Sequence, residues 1–320
     1  MNWHELRSGR MTWINIHDPD PDAVAKLRDL YRFHPLDFED VLSHNQRSKI
    51  DRYPEYLFMV ILFPTYRPET REIIPVEMDV FLMRETLITV THDRLRPLED
   101  FYRLCQDNSL QRDHYFGEQI ERLVVELFSR LLIASFPMVD HITMDLENIE
   151  QRIFRGEHKH MVSGILIARR NITDFRRIVQ GHKKIIEKMT GEPTAFKNVN
   201  GDQNRDFTLN RTDGRLREYY DNLVDYTKEV WDTLNGHKET VEALQASNES
   251  FLSTRITDVI QRLTLISVML LPVTAIAGIF GMNTRFSPFI GHAYDFWIII
   301  ALTAFVMGTM YLVFRSKKWI

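Results

Sequence analysis

Two long apolar runs stand apart from the rest of the chain. Leu263 to Phe280 (LTLISVMLLPVTAIAGIF) and Phe296 to Phe314 (FWIIIALTAFVMGTMYLVF) contain no charged residue, and a short stretch opening with Gly281-Met282-Asn283 separates them. At about 1.5 Å of helical rise per residue each is roughly 27 to 29 Å long, close to the hydrocarbon thickness of a bilayer. The pattern predicts a soluble body followed by a transmembrane hairpin. The alternative is a helical hairpin buried in a soluble core.

Ahead of these runs the periodicity changes twice. Residues 1 to about 105 alternate strand and helix signals. Thr12 to Ile16 reads as a strand and Asp18 to Tyr31 as a helix with Asp and Pro near its start. Tyr56 to Phe63, Pro75 to Met83 and Thr86 to Thr91 are rich in β-branched and aromatic residues. The stretch around Arg67-Pro68-Glu69 suits a hairpin, and Arg84-Glu85 a tight turn. From Glu118 the apolar spacing becomes three and four: Glu118 to Phe154, kinked at Pro137, and His160 to Thr190 read as helices. Gly191 to Gly214 is polar and rich in breakers, a loop.

A third helix then meets no proline before Pro272. Steps of seven from Leu216 give Leu223, Val230, His237, Leu244 and Phe251; the companion series is Tyr220, Thr227, Leu234, Val241, Asn248 and Arg255. A sustained 3.5-residue repeat describes a coiled-coil seam, in which polar entries such as His237 and Asn248 can set register. Running unbroken to Phe280, the helix would be roughly 100 Å long, and Gly236 is the place where it could break. Self-association through the seam is the expectation; packing only against the other helices of the same chain is the alternative. The fold class is thus an α+β domain (1–115), a helical region with a long stalk helix (116–262) and a two-helix transmembrane hairpin (263–320).

Composition adds location and exclusions. The 320 residues are 26% charged with net charge -4, pI ≈ 6.3 and mean hydropathy -0.26; nearly all the charge precedes the apolar runs. The single cysteine, Cys105, permits neither an intrachain disulfide nor a thiolate metal cluster. The start, MNWHELRSGRMTW, lacks the apolar stretch of a signal peptide, so the body is expected in the cytoplasm. Arg262 before the first run, and Arg315, Lys317 and Lys318 after the second, place both ends on the cytoplasmic side of the cell (inner) membrane. Trp297 and Trp319 sit where interfacial aromatics belong.

Two transmembrane helices cannot enclose a polar path alone, so transport requires several chains, each giving one helix. On the first run and its approach, Thr257, Ile260, Leu263, Ser267, Leu271, Thr274 and Gly278 recur every three or four residues. Small, hydroxyl and aliphatic side chains on one face describe either a narrow pore with apolar constrictions or a close helix-packing surface. Asn283 lies at the outer end, where one amide oxygen per chain can form a ring around a hydrated cation; magnesium fits, because it dehydrates reluctantly. Gly281 lets the backbone turn or approach closely.

Other motifs point elsewhere less well. Glu157-His158-Lys159-His160 has metal-ligand residue types but follows Gly156 at a helix–helix turn. His92-Asp93 has no nucleophile or carboxylate partner placed for catalysis, so no enzyme and no cofactor is expected. The pairs Arg169-Arg170, Arg176-Arg177 and Lys183-Lys184 lack interleaved aromatics, and with a net negative chain they read as a solvated face, not a nucleic-acid site.

GIFGMN at the end of the first of two membrane helices, with a basic ending SKKWI, resembles the CorA family of divalent-cation channels. The similarity extends to HPLDFEDVL (His34 to Leu42), QRSKIDRYPEYLFMVIL (Gln46 to Leu62) and the Pro272-x-Thr274-x-Ile276-Ala277-Gly278 run, and so covers essentially the whole chain. The resemblance implies a funnel-shaped homopentamer with a cytoplasmic α/β domain and a pore lined by the first membrane helix. It implies that Asn283 is the filter ligand, shaped by Gly281 and Met282. Thr274, Leu271, Leu263 and Ile260 fall on pore-facing family positions, the last two at the hydrophobic constriction.

Two features depart from the family pattern. Many magnesium-transporting members carry Met-Pro-Glu-Leu just after the motif; here Thr284-Arg285-Phe286-Ser287-Pro288-Phe289 brings no glutamate and one positive charge, with Asp295 and His292 as the compensating groups. The family also binds regulatory magnesium between subunits through carboxylates on the long helix. Asp221 and Asp225 lie near that stretch, but Asn222 stands where an aspartate is expected. Magnesium is therefore the expected cargo, cobalt or nickel compatible, and a zinc transporter of the same fold the alternative. A membrane-anchored metal sensor without transport is the rival from another class.

Overall fold

A computed structural model describes residues 2–43, 47–117, 120–191, 195–196, 207–208, 214–282 and 294–317. The chain divides into two compact units, Met1–Ala246 and Ser247–Ile320. The first is built on a six-stranded sheet of β1 (Trp3–Ser8), β2 (Met11–His17), β3 (Lys49–Arg52), β4 (Leu57–Arg67), β5 (Glu72–Leu82) and β6 (Thr86–Thr91), in spatial order β1-β2-β6-β5-β4-β3. The β2–β6 pair is parallel and the others are antiparallel. The expected strands and both turns are present, and the β4–β5 hairpin is longer than its apolar stretches, pairing Leu57 with Leu82 and Arg67 with Glu72.

Both faces of the sheet are covered. On one, α1 (Pro21–Leu30) and α2 (Pro35–Leu42) bury Val24, Leu27, Phe38 and Val41 against Ile14, Phe58, Phe81 and Val90. α1 starts later than Asp18, which sits at φ 50°. Asp20 is the N-cap, its carboxylate accepting from the Ala23 amide at 2.7 Å, and Pro21 fits the first turn, which needs no donor. On the opposite face, α3 (Arg96–Asp107), α4 (Ser109–Phe116) and α5 (Ile120–Ile133) close a second core around Trp13, Met78 and Phe101.

α6 (Phe136–Phe154) and α7 (His158–Gly191) follow. The helix expected over Glu118–Phe154 is therefore two helices: Pro137 lies in the first turn of α6, where its missing N–H is harmless, and the chain breaks at Ala134-Ser135. The segment read wholly as loop contains a two-residue ladder, β7 (Ala195–Phe196) with β8 (Phe207–Thr208). α8 then runs from Gly214 to Phe280 with Pro272 inside it and no break at Gly236, and α9 covers Asp295–Ser316.

From Val230 to Leu244 the heptad stripe of α8 is buried inside its own chain. Val230, Leu234, Val241 and Leu244 join Val139, Ile142 and Leu146 of α6 and Ile165, Ile172 and Phe175 of α7 in one core. Phe136 meets Tyr226 edge-on, and the polar entry His237 pairs with Thr143 Oγ1 at 2.9 Å. Over this stretch the seam packs within the chain, the second of the two readings, while Phe251 and Arg255 further along the same repeat stay exposed. A 3.5-residue repeat requires a partner surface, and α6 and α7 supply it along this stretch.

Candidate ion path and cation sites

The second unit contains the two apolar runs, and neither is sheltered by the chain: 0% of the most apolar window of each is buried. Ile260, Leu263, Leu271 and Ile279 are 57%, 64%, 67% and 64% exposed. Uncharged helices of this length with open side chains are not the core of a soluble protein, so the buried-hairpin alternative is removed.

At about 100° per residue, Thr257, Ile260, Leu263, Ser267, Leu271, Thr274 and Gly278 fall within an arc of roughly 120° on α8. The hydroxyl protons on this stripe are used locally. Thr257 donates to the Ser253 carbonyl at 3.0 Å, Ser267 to Leu263 at 2.9 Å and Thr274 to Leu271 at 2.9 Å. Each hydroxyl oxygen keeps acceptor capacity pointing away from its own helix. Such a stripe can accept from the water shell of a cation or from a neighbouring helix.

α8 ends at the signature. The Gly281 amide donates to the Ala277 carbonyl at 2.9 Å, and a Cβ at this position would lie 2.9 Å from that same oxygen. Only glycine lets the chain leave the helix this closely. Met282 is 59% exposed. Asn283, Arg285 and His292 lie outside the described residues.

In the first unit, Asp221 and Asp225 are exposed on α8, on either side of the equally exposed Asn222, away from the buried stripe. Among the described residues no three His, Cys, Asp or Glu side chains gather to hold a metal ion. The tempting groups are otherwise occupied: Glu157 pairs with Arg152 at 2.7 Å, Arg176 covers the Trp231 ring at 5.2 Å, and Arg177 reaches Asp174 at 3.6 Å.

The two N-terminal motif stretches meet, which spacing did not reveal. Asp37, 1% exposed, accepts from Tyr56 at 2.6 Å and Tyr53 at 3.1 Å, while Tyr56 accepts from the His34 amide at 2.7 Å. Burial raises the Asp37 carboxyl despite these bonds. Lys49 pairs with Asp40 and with Asp51, the latter at 2.9 Å. Behind them Asp79, 1% exposed with both oxygens unpartnered, is raised well above the usual carboxylate range by burial and by Glu77.

The family model described as "CorA-like Mg2+ transporter protein" matches residues 8–318. The chain belongs to the CorA family. The cobalt/magnesium transport protein CorA of Thermotoga maritima is 22% identical over 98% of this chain and 84% of its own length. The protein of the same name from Methanocaldococcus jannaschii is 19% identical over 97% and 92%. The structure of the CorA magnesium transporter from Methanocaldococcus jannaschii superposes with a TM-score of 0.79 at 16% identity, covering 98% of this chain and 93% of that one. The likeness is of fold; the function comes with the family. This chain is a divalent-cation transporter of the CorA family with two membrane-spanning helices, and the reading of its hairpin as a mere tether is set aside.

Proposed function

We propose that the protein is a homopentameric channel for magnesium in the cell (inner) membrane, with both termini in the cytoplasm and the stripe from Thr257 to Gly278 lining the ion path. The observation that carries this reading is the open face of α8, on which hydroxyl oxygens alternate with aliphatic side chains and which ends at Gly281. Asn283 contributes the outer ring that holds the hydrated ion, Met282 flanks it, and Leu263 and Ile260 form an apolar constriction that gates by dewetting. The working parts divide as 1–115, 116–262 and 263–320. An inside-negative potential supplies about 2.3 kcal/mol per charge per 100 mV, twice that for a divalent ion, so inward movement needs no coupled ion. Asp221 and Asp225 are the cytoplasmic cation sensor in this reading.

A zinc transporter of the same fold is the second reading, favoured by the loop that brings Arg285 and His292 in place of a glutamate. Metal uptake into liposomes containing the purified protein separates the two. Faster uptake of magnesium than of zinc, abolished by Asn283→Ala with assembly intact, is expected. The reverse preference selects zinc, and uptake unchanged in Asn283→Ala moves the filter elsewhere. A native mass spectrum containing only monomer or dimer would remove the shared path.

A further inference from the structure

The start of α8 and α5 share one core, which is apolar apart from two groups. Leu123, Val124 and Leu127 of α5 and Leu223 of α8 are all fully buried in the same core. Into that packing α5 places Glu121, 4% exposed, and α8 places Tyr220, 3% exposed. Oε2 of Glu121 and the hydroxyl of Tyr220 each lack a hydrogen-bond partner. The two face each other closely enough for the carboxylate charge to act on the phenol. From α5 itself, the Glu121 amide donates to its own carboxylate; from α8, Tyr220 is the titratable group in range. Among the described residues no Lys, Arg or His side chain pairs with Glu121.

An unpaired carboxylate in an apolar helix contact is costly, whereas the neutral acid is tolerated. We propose that Glu121 is a proton-operated latch between α5 and α8: it is held uncharged while the contact is closed, and loss of its proton loosens the first turns of α8 from the body. Burial raises the Glu121 carboxyl to about 7, from 4.5 when it meets water. The closed contact therefore holds a proton that the open one releases. Opening becomes easier as pH rises from about 4.5 to 7 and levels off above. Since α8 is one helix from Gly214 to Phe280, the cytoplasmic proton concentration acts on the same element that continues into the first apolar run.

Hydrogen exchange of the full-length, detergent-solubilised protein between pH 6 and 8, corrected for intrinsic exchange, tests the latch. Opening of residues 214–226 is expected to rise about tenfold over this range, most of it below pH 7.5. Glu121→Gln, which keeps the shape and cannot ionise, is expected to stay flat at the low-pH level. Tyr220→Phe removes no group that titrates here and is expected to keep the rise. A flat wild-type profile, a full rise in Glu121→Gln, or loss of the rise in Tyr220→Phe would each overturn the proposal. The latch rests on the body alone, so failure of cation uptake leaves it standing, and a flat profile leaves the proposed channel standing.

Discussion

Leu234→Ala decides how the heptad stripe is used. Leu234 is 0% exposed, between Val230 and Val241 on the face that α6 and α7 cover. Truncation removes three buried carbons and leaves a cavity that straight, packed helices cannot close, costing about 3 kcal/mol within the usual range for buried leucine. At about 2–4 °C per kcal/mol for a unit of this size, the body, Met1–Ala246, should melt roughly 6–12 °C lower. Phe251 continues the same repeat but is 42% exposed, so Phe251→Ala should change melting by no more than about 2 °C, within the ±0.5 kcal/mol of surface substitutions. The assay is thermal unfolding of the solubilised protein followed by the amide I β-sheet band, which the six-stranded sheet of the body supplies, with stoichiometry read in parallel by native mass spectrometry. An intrachain stripe predicts lower melting at unchanged stoichiometry. Loss of subunits with unchanged body melting would refute the packing argument and return the seam to the interface between copies.

Three further outcomes are expected. Leu263→Asp should wet the proposed constriction and raise resting leak current in planar bilayers; an unchanged closed-state conductance would place Leu263 against another helix. If Asp221 and Asp225 form the proposed sensor, with the uncharged Asn222 between them, millimolar magnesium should protect the body from protease only modestly, and less again in Asp221→Ala or Asp225→Ala; strong protection surviving both substitutions would move the sensor. His182, 3% exposed with Nε2 donating to the Leu62 carbonyl at 2.5 Å, is lowered from 6.5 to about 4 by burial. Folded protein keeps it neutral while unfolded chain protonates it, so stability should fall by about 3 kcal/mol as pH drops from 6.5 to 4. His182→Gln should flatten that limb of the unfolding profile, and an unaltered acid limb would show that other groups carry it.

Local signals are legible wherever residue type and flanking turns alone determine an element. Thr86–Thr91 is rich in β-branched residues and follows the Arg84-Glu85 turn, and its strand has those bounds. β1 escaped notice because it is an edge strand with only Leu6 buried, and β3 because its four residues carry one buried side chain, Ile50. Pro137 was legible as an interruption but not as a helix start, since the same missing donor serves either role. The signature at Gly281 was legible as well, and the 2.9 Å approach to the Ala277 oxygen explains its glycine.

The sequence by itself determined that two segments suit lipid and that one stripe of α8 must be covered. These follow from composition and from the period of a single helix, which neighbours along the chain express in full. It did not determine what covers the stripe, because a 3.5-residue repeat looks the same whether its partner is another copy or the preceding two helices. Nor did it bring Asp37 to Tyr53 and Tyr56, or Glu121 to Tyr220. Those pairs are separated along the chain and joined only when sheet and helices close on one another. Their protonation depends on how much water that closure removes, and this is a property of the packed body that no stretch of residues carries alone.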